Sequence, residues 1–234
     1  MIRIIRPFRH LSDRTNDVVM SVILAVLLTA LSYGVGLLAG WIHDVNWLEA
    51  FAVATSYGST WLCVVQRRFN YVYGFVSTAA YAVLFWQTGL LASTVLNAYL
   101  TPWLIYGWIR WGKDAVTRPV TWLVQDRRRG LWIPIYLGAA AFGYFGAVLV
   151  VTLLGGNLAW LDSAILALTI LAQTLLDNKR LESWAVWLLV NTIAIYEYFA
   201  SGLMVVGIQY ILFWLNALLT FYVWKKSMSA RAVD

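Results

Sequence analysis

The feature that most restricts this chain is a series of apolar runs, each about long enough to cross a bilayer, at about 18–41, 47–66, 70–88, 90–112, 131–154, 160–178, 183–200 and 203–224. At a rise of ~1.5 Å per residue, about 20 apolar residues span the ~30 Å hydrocarbon layer. Inside that layer only helices and closed barrels satisfy every backbone group. The runs therefore predict an all-α, polytopic membrane protein with eight transmembrane helices. The basic residues support the count. All 17 Lys and Arg lie in alternate connections or in the termini: the N-terminal tail, Arg67-Arg68, Arg110 to Arg129, Lys179-Arg180, and Lys225, Lys226 and Arg231. The opposite connections, His43 to Asn46, Thr88-Gly89, Gly155 to Ala159 and Ser201-Gly202, carry none. Basic residues mark the cytoplasmic side, so both termini are predicted to be cytoplasmic. A hydrophobic share of 62% against 12% charged excludes an ordinary soluble domain. The net charge of +6 reflects orientation and attraction to anionic lipid, and no nucleic-acid partner is predicted.

Arg3, Arg6, Arg9 and Arg14 precede the first run, as in a signal peptide, but Val18 to Trp41 exceeds the length of a cleaved apolar region. The reading is a cytoplasmic tail over 1–17 and an uncleaved helix over 18–41. A lone cysteine, Cys63, excludes an internal disulfide, and His10 and His43 offer no metal-ligand spacing, so no metal or cofactor is predicted. The chain has no GxxxxGK[ST] loop for ATP, and no Ser-His-Asp set or mid-depth carboxylate pair for hydrolysis. An enzyme is not expected. Glu49, Asp162, Asp177, Glu182 and Glu197 all fall within about two turns of a helix end, which argues against a proton relay through the membrane centre. Glu49 and Asp162 sit in first turns, where a negative charge suits the helix dipole.

The chain also resembles itself. A shift of 113 residues lays Trp47-Leu48-Glu49 on Trp160-Leu161-Asp162, Arg67 on Arg180, Gly89-Leu90 on Gly202-Leu203, and Trp111 and Lys113 on Trp224 and Lys226. These positions mark helix starts, turns and ends. They predict a first three-helix repeat over 47–113, a linker helix over 131–154 and a second repeat over 160–226, with helix 18–41 outside the plan. An odd repeat plus one linker restores orientation, so the halves are expected to be parallel, a 3+1+3 arrangement resembling that of full-length SWEET transporters.

Uncharged polar residues gather near mid-depth in both halves. On helix 183–200, Trp184, Trp187, Asn191 and Tyr198 share a face. Thr169 and Gln173 lie on helix 160–178 and Asn216 on 203–224, while Ser56, Tyr57, Thr60, Thr78, Tyr81, Asn97 and Thr101 come from the first half. Asn97 falls on Tyr210 under the shift. A single Ser or Thr is explained by an interhelical hydrogen bond worth ~0.6 kcal/mol. The amides as a set, beside two indoles, instead suggest a clamp for a flat polar or cationic ring. The expected substrate site comprises Gln173, Trp184, Trp187, Asn191, Asn216, Asn97, Tyr210 and Tyr57. Trp41, Trp47, Trp108, Trp111, Trp160 and Trp224, near helix ends, read as interface anchors.

Gln173 to Tyr198, Q-T-L-L-D-N-K-R-L-E-S-W-A-V-W-L-L-V-N-T-I-A-I-Y-E-Y, resembles the PnuC family of bacterial vitamin transporters. That family's pattern is matched by Gln173, Lys179, Arg180, Glu182, Trp184, Trp187, Val190 and Asn191; Ser183 departs from its Asn. Tyr106 to Trp108, followed by Trp111, is similar to the end of the family's third core helix. The resemblance covers about 47–226. It implies uptake of nicotinamide riboside by facilitated diffusion across the bacterial inner membrane, trapping of the product by a cytoplasmic kinase, and a homotrimer in lipid. Relatives of the same fold carry thiamine, riboflavin or deoxynucleosides, which stay open as substrates. From other classes, a membrane-embedded enzyme acting on lipid would need clustered acids, and a scaffold would explain neither the repeat nor the amides.

Overall fold

Helix ends in this chain follow its capping chemistry. In the computed structural model, which describes residues 12–112, 119–155 and 159–231, Ser12 Oγ accepts the Thr15 N–H and starts α1 (Asp13–Leu38). Asn46 Oδ1 accepts the N–H groups of Leu48 and Glu49 at 3.0 and 3.2 Å and starts α2 (Trp47–Val64). α3 (Asn70–Thr88) ends on Gly89 at φ +77°, a left-handed turn that favours glycine. There follow α4 (Leu91–Trp111), α5 (Arg129–Leu153), α6 (Ala159–Asp177), α7 (Ser183–Ala200) and α8 (Met204–Arg231). The described residues thus form eight α-helices. Arg3, Arg6, Arg9 and Lys113 lie outside the described residues.

Among the described residues, α1, α5, α6 and α8 are long and apolar enough to cross a membrane by length and composition alone. The other four also carry polar groups that face inward, Asn70, Ser77, Ser93, Asn97 and Asn191 among them, all buried. α8 continues past the expected end at 224, because Lys225 and Lys226 terminate an apolar span without breaking a helix.

The 113-residue offset recurs in three dimensions. α2, α3 and α4 begin at 47, 70 and 91, and α6, α7 and α8 begin at 159, 183 and 204. Among the described residues, the two non-glycine residues with positive φ, Gln66 (57°) and Lys179 (52°), are equivalent, as are Gly89 and Gly202 (77° and 76°). Tyr71 meets Trp111 edge-on at 5.2 Å and 83°, and the equivalent Trp184 meets Trp224 at 5.3 Å and 84°. Packing follows the same rule. α2 packs on α3 and α3 on α4; α6 packs on α7 and α7 on α8. The two triplets join through α4 against α6 and through α8 against α2, contacts that the offset exchanges.

Trp111 and Trp224, expected at the interface, are instead in the core, 2% and 0% exposed, their rings 6.1 Å apart. Trp224 Nε1 donates to the Cys63 carbonyl at 3.3 Å, whereas Trp111 Nε1 has no hydrogen-bond partner among the described residues and is held by ring packing against Tyr71 and Trp224. Trp41, Trp47 and Trp160 are exposed, as anchors are. Lys179 is likewise fully buried: Nζ donates to Gln66 Oε1 at 3.0 Å and lies 4.8 Å from the Trp111 ring centre. Asp162 differs too. It serves another helix, accepting the Ala92 N–H at 3.1 Å and the Ser93 hydroxyl at 2.8 Å at the start of α4.

α1 packs on α2 and α8 outside the triplets, with the Tyr33 hydroxyl donating to Glu49 at 3.1 Å and Ser21 Oγ to the Gly58 carbonyl at 2.9 Å. α5 packs chiefly on α6 and leaves Phe142 and Phe145 exposed. The segment after residue 118 is tied to the hairpin between α6 and α7. Thr121 N–H donates to the Lys179 carbonyl and Leu181 N–H to the Thr121 carbonyl, at 3.1 and 3.0 Å, and Arg180 pairs with Asp126. The Asp126 carboxyl is held below the usual carboxylate range, first by the Arg128 N–H and then by the Arg180 guanidinium. A depressed folded-state pKa stabilises above the unfolded value and is lost as pH falls through the folded one. Asp126→Asn is therefore expected to speed hydrogen exchange at the Thr121 and Leu181 amides at neutral pH while leaving helix amides unchanged. In the unsubstituted chain, exchange corrected for its intrinsic pH dependence should speed up only as Asp126 is protonated.

Candidate functional site

Between the triplets lies a cavity of ≈ 190 Å³, walled by α2, α3 and α4 on one side and α6, α7 and α8 on the other. Gln173, Trp184, Trp187, Asn191, Asn216, Asn97 and Tyr210 all line it. Tyr57 does not. Its hydroxyl meets Ser32 Oγ of α1 at 2.8 Å, and its ring packs edge-on against Phe213 at 5.6 Å, so Tyr57 fastens the extra helix to the core.

Helix periodicity explains the convergence. On α7, Trp184, Trp187, Asn191 and Tyr198 follow the three- and four-residue spacing of one face, and that face turns toward the first triplet. Asn191 is 3% exposed, and among the described residues neither its amide nor that of Asn216 has a hydrogen-bond partner in the protein. An unsatisfied amide within an apolar bundle costs on the order of 1–3 kcal/mol, so both are groups for a polar ligand. Asn97 Nδ2 instead donates to the Ser93 carbonyl one turn back, at 2.8 Å. The indoles are not equivalent: Trp184 is 5% exposed and held by Trp224, whereas Trp187 is only half-buried. Gly74 is the residue equivalent to Trp187 and also lines the cavity, so that indole has no counterpart across it.

The sequence reading missed the support behind Gln173, one layer outside the cavity wall. Asp177, the last residue of α6, is fully buried. Its Oδ1 accepts from Gln173 Nε2 at 2.8 Å and from the Tyr71 hydroxyl at 2.7 Å; its Oδ2 accepts from Trp103 Nε1 at 3.0 Å. Tyr71 and Trp103 belong to the first triplet, and they are the equivalents of Trp184 and Asn216. One half thus presents indole and amide to the cavity while the other spends the same positions on the carboxylate. The spacing of four between Gln173 and Asp177 was the available signal. Toward the opposite end, the Tyr81 hydroxyl donates to Gln209 Oε1, Gln209 Nε2 donates to the Val53 carbonyl at 3.2 Å, and Phe85 stacks on Tyr198 at 5.5 Å.

A small polar chamber with aromatic walls, enclosed by matching helix triplets in an apolar bundle, defines a multi-pass membrane transporter of small solutes. The chain belongs to the nicotinamide mononucleotide transporter family, whose profile matches residues 46–226 and so leaves out α1. It is similar to the nicotinamide riboside transporter PnuC of Escherichia coli (strain K12), 24% identical over 214 residues that cover 81% of this chain and 89% of that protein. The protein of the same name from Neisseria mucosa is 26% identical over 158 residues, 64% of this chain and 59% of the relative. A crystal structure of the vitamin B3 transporter PnuC shares the fold, with a TM-score of 0.69, 17% identity and 95% of each chain covered. The family is one of transporters, not enzymes.

Proposed function

We propose that this chain takes up nicotinamide riboside across a bacterial inner membrane, and that the cavity between the triplets is its binding site. The observation that carries the reading is the convergence of Gln173, Trp184, Trp187, Asn191 and Asn216 on one chamber. The pyridinium ring of nicotinamide riboside is a flat cation, and a cation over a desolvated indole gains on the order of 2 kcal/mol. Trp187, the more open indole, stacks on that ring; Trp184 borders it. Asn191 and Asn216 bond the carboxamide or the ribose, with Asn97 and Tyr210 completing the wall. The buried Asp177 carboxylate beneath Gln173 adds attraction for a cation.

The scaffold is read as 3+1+3: parallel triplets of α2 to α4 and α6 to α8 joined by α5, with α1 added. Its supports are the shared offset of helix starts and positive-φ residues, and the exchange of α4 against α6 for α8 against α2. Both termini are read as cytoplasmic, supported by the alternating Lys and Arg. No ATP-binding loop stands in the sequence, and transport is facilitated diffusion, with the product trapped by a cytoplasmic kinase. The exposed apolar faces of α1 and α5 meet lipid and neighbouring copies in a homotrimer.

Calorimetry on the purified chain with nicotinamide riboside, thiamine, riboflavin and thymidine tests the substrate. Heat is expected with nicotinamide riboside, at a dissociation constant between ~1 μM and ~1 mM. No heat with it, or tighter binding of another compound, overturns the reading.

A further inference from the structure

Resting on the reading that the cavity holds nicotinamide riboside, we propose that Asp177 is a positioning residue: it turns the Gln173 amide so that the site selects a ring bearing a carboxamide over the same ring bearing a carboxylate. Asp177 touches no substrate. Among the described residues, each hydrogen bond its side chain makes is with a donor: Gln173 Nε2, the Tyr71 hydroxyl and Trp103 Nε1. A tryptophan N–H can only donate, and a carboxylate can only accept, so the Gln173 amide must present its nitrogen to Asp177. The end left for the cavity is Oε1, which among the described residues accepts no hydrogen bond from the protein.

A fixed acceptor reads a donor. The NH2 of a carboxamide satisfies it. A carboxylate in the same place sets acceptor against acceptor, with the negative charge of Asp177 directly behind, and the oxygen on each side is left unpaired. The pyridinium is common to both compounds, so the indoles and the amides of Asn191 and Asn216 do not separate them by charge on the ring. Discrimination falls to Gln173, and through it to Asp177. The four-residue spacing on α6 makes the pair rigid: both side chains leave the same helix face, and Asp177 is held from the other triplet by Tyr71 and Trp103.

Asp177→Asn keeps the shape: with its oxygen left on Trp103 it turns an NH2 toward Gln173 and the Tyr71 hydroxyl, which can accept, so Gln173 can present its nitrogen to the cavity. The test is competition on the purified full chain: calorimetric binding of nicotinamide riboside with nicotinic acid riboside as competitor. The unsubstituted chain is expected to prefer the amide at least ~10-fold, and Asp177→Asn to lower that preference ~10-fold or more, chiefly by admitting the acid. A purely structural role would weaken both compounds together. Equal affinities in the unsubstituted chain, or an unchanged ratio in Asp177→Asn, overturn the proposal while leaving nicotinamide riboside binding intact. Failure of nicotinamide riboside to bind the unsubstituted chain removes the functional reading instead, and the proposal with it. Should Asp177→Asn not fold, the preference of the unsubstituted chain still decides.

Discussion

Asn191→Leu is expected to lower nicotinamide riboside uptake into proteoliposomes by about 10- to 100-fold without loss of folded protein. The amide lies in the middle of α7, is 3% exposed and lines the cavity, and no protein group satisfies it among the described residues. Leucine has as many side-chain heavy atoms, its extra bulk faces the cavity and its helix propensity is better, so α7 keeps its packing and its thermal stability in detergent should hold or rise. The proposed hydrogen bond to the substrate is what the variant is expected to lose, leaving the substrate's polar group desolvated and unpaired. Unchanged uptake would remove Asn191 from the site. Reduced uptake with an equal fall in melting temperature would assign it to packing.

Gly107→Ala is expected to destabilise the chain by about 3–5 kcal/mol, a large part of a typical folding free energy. A Cβ at 107 would fall inside the Tyr71 ring, 2.7 Å from Cδ1 and Cζ and nearer still to Cε1. The ring cannot step aside. It is 1% exposed, wedged against Trp111, and its hydroxyl is bonded to Asp177. Overpacking and loss of a charge-assisted hydrogen bond therefore act together. A lower melting temperature in size-exclusion assays reads the effect, and adding Tyr71→Leu, which clears the space, should recover part of it. Equal melting temperatures for the single variant and the unsubstituted chain would show that the close approach of α3 and α4 is not as tight as described.

The pattern of spans was legible because apolar length is a strong signal, and the repeat because its matches fall at helix starts and glycine turns, which a backbone needs wherever its side chains differ. Gln173, Asn191 and Asn216 stood out for a related reason: amides are conspicuous in apolar runs. Burial was harder to read. A helix that is apolar all round does not say which face meets lipid and which meets protein, so Trp111 and Trp224 were read as interface anchors when they are packed in protein, and the burial of Lys179 within its connection went unread. Tyr57 has the composition of a site residue, but its partner, Ser32, sits on a helix outside the repeat. Asp177 was read by its position at a helix end. Only the approach of α3 and α4 from the other triplet shows that it is enclosed.

The 113-residue offset lays Gln66 on Lys179, and the two side chains touch. Two identical half-length chains assembled as a dimer would have to place the same side chain on both sides of that contact. Two lysines there would repel, and two glutamines would leave the Trp111 ring without a cation. Covalent fusion removes the constraint. A gene encoding both halves in one chain can write lysine on one side and glutamine on the other, and so bury a charge at the seam that no symmetric pair could hold.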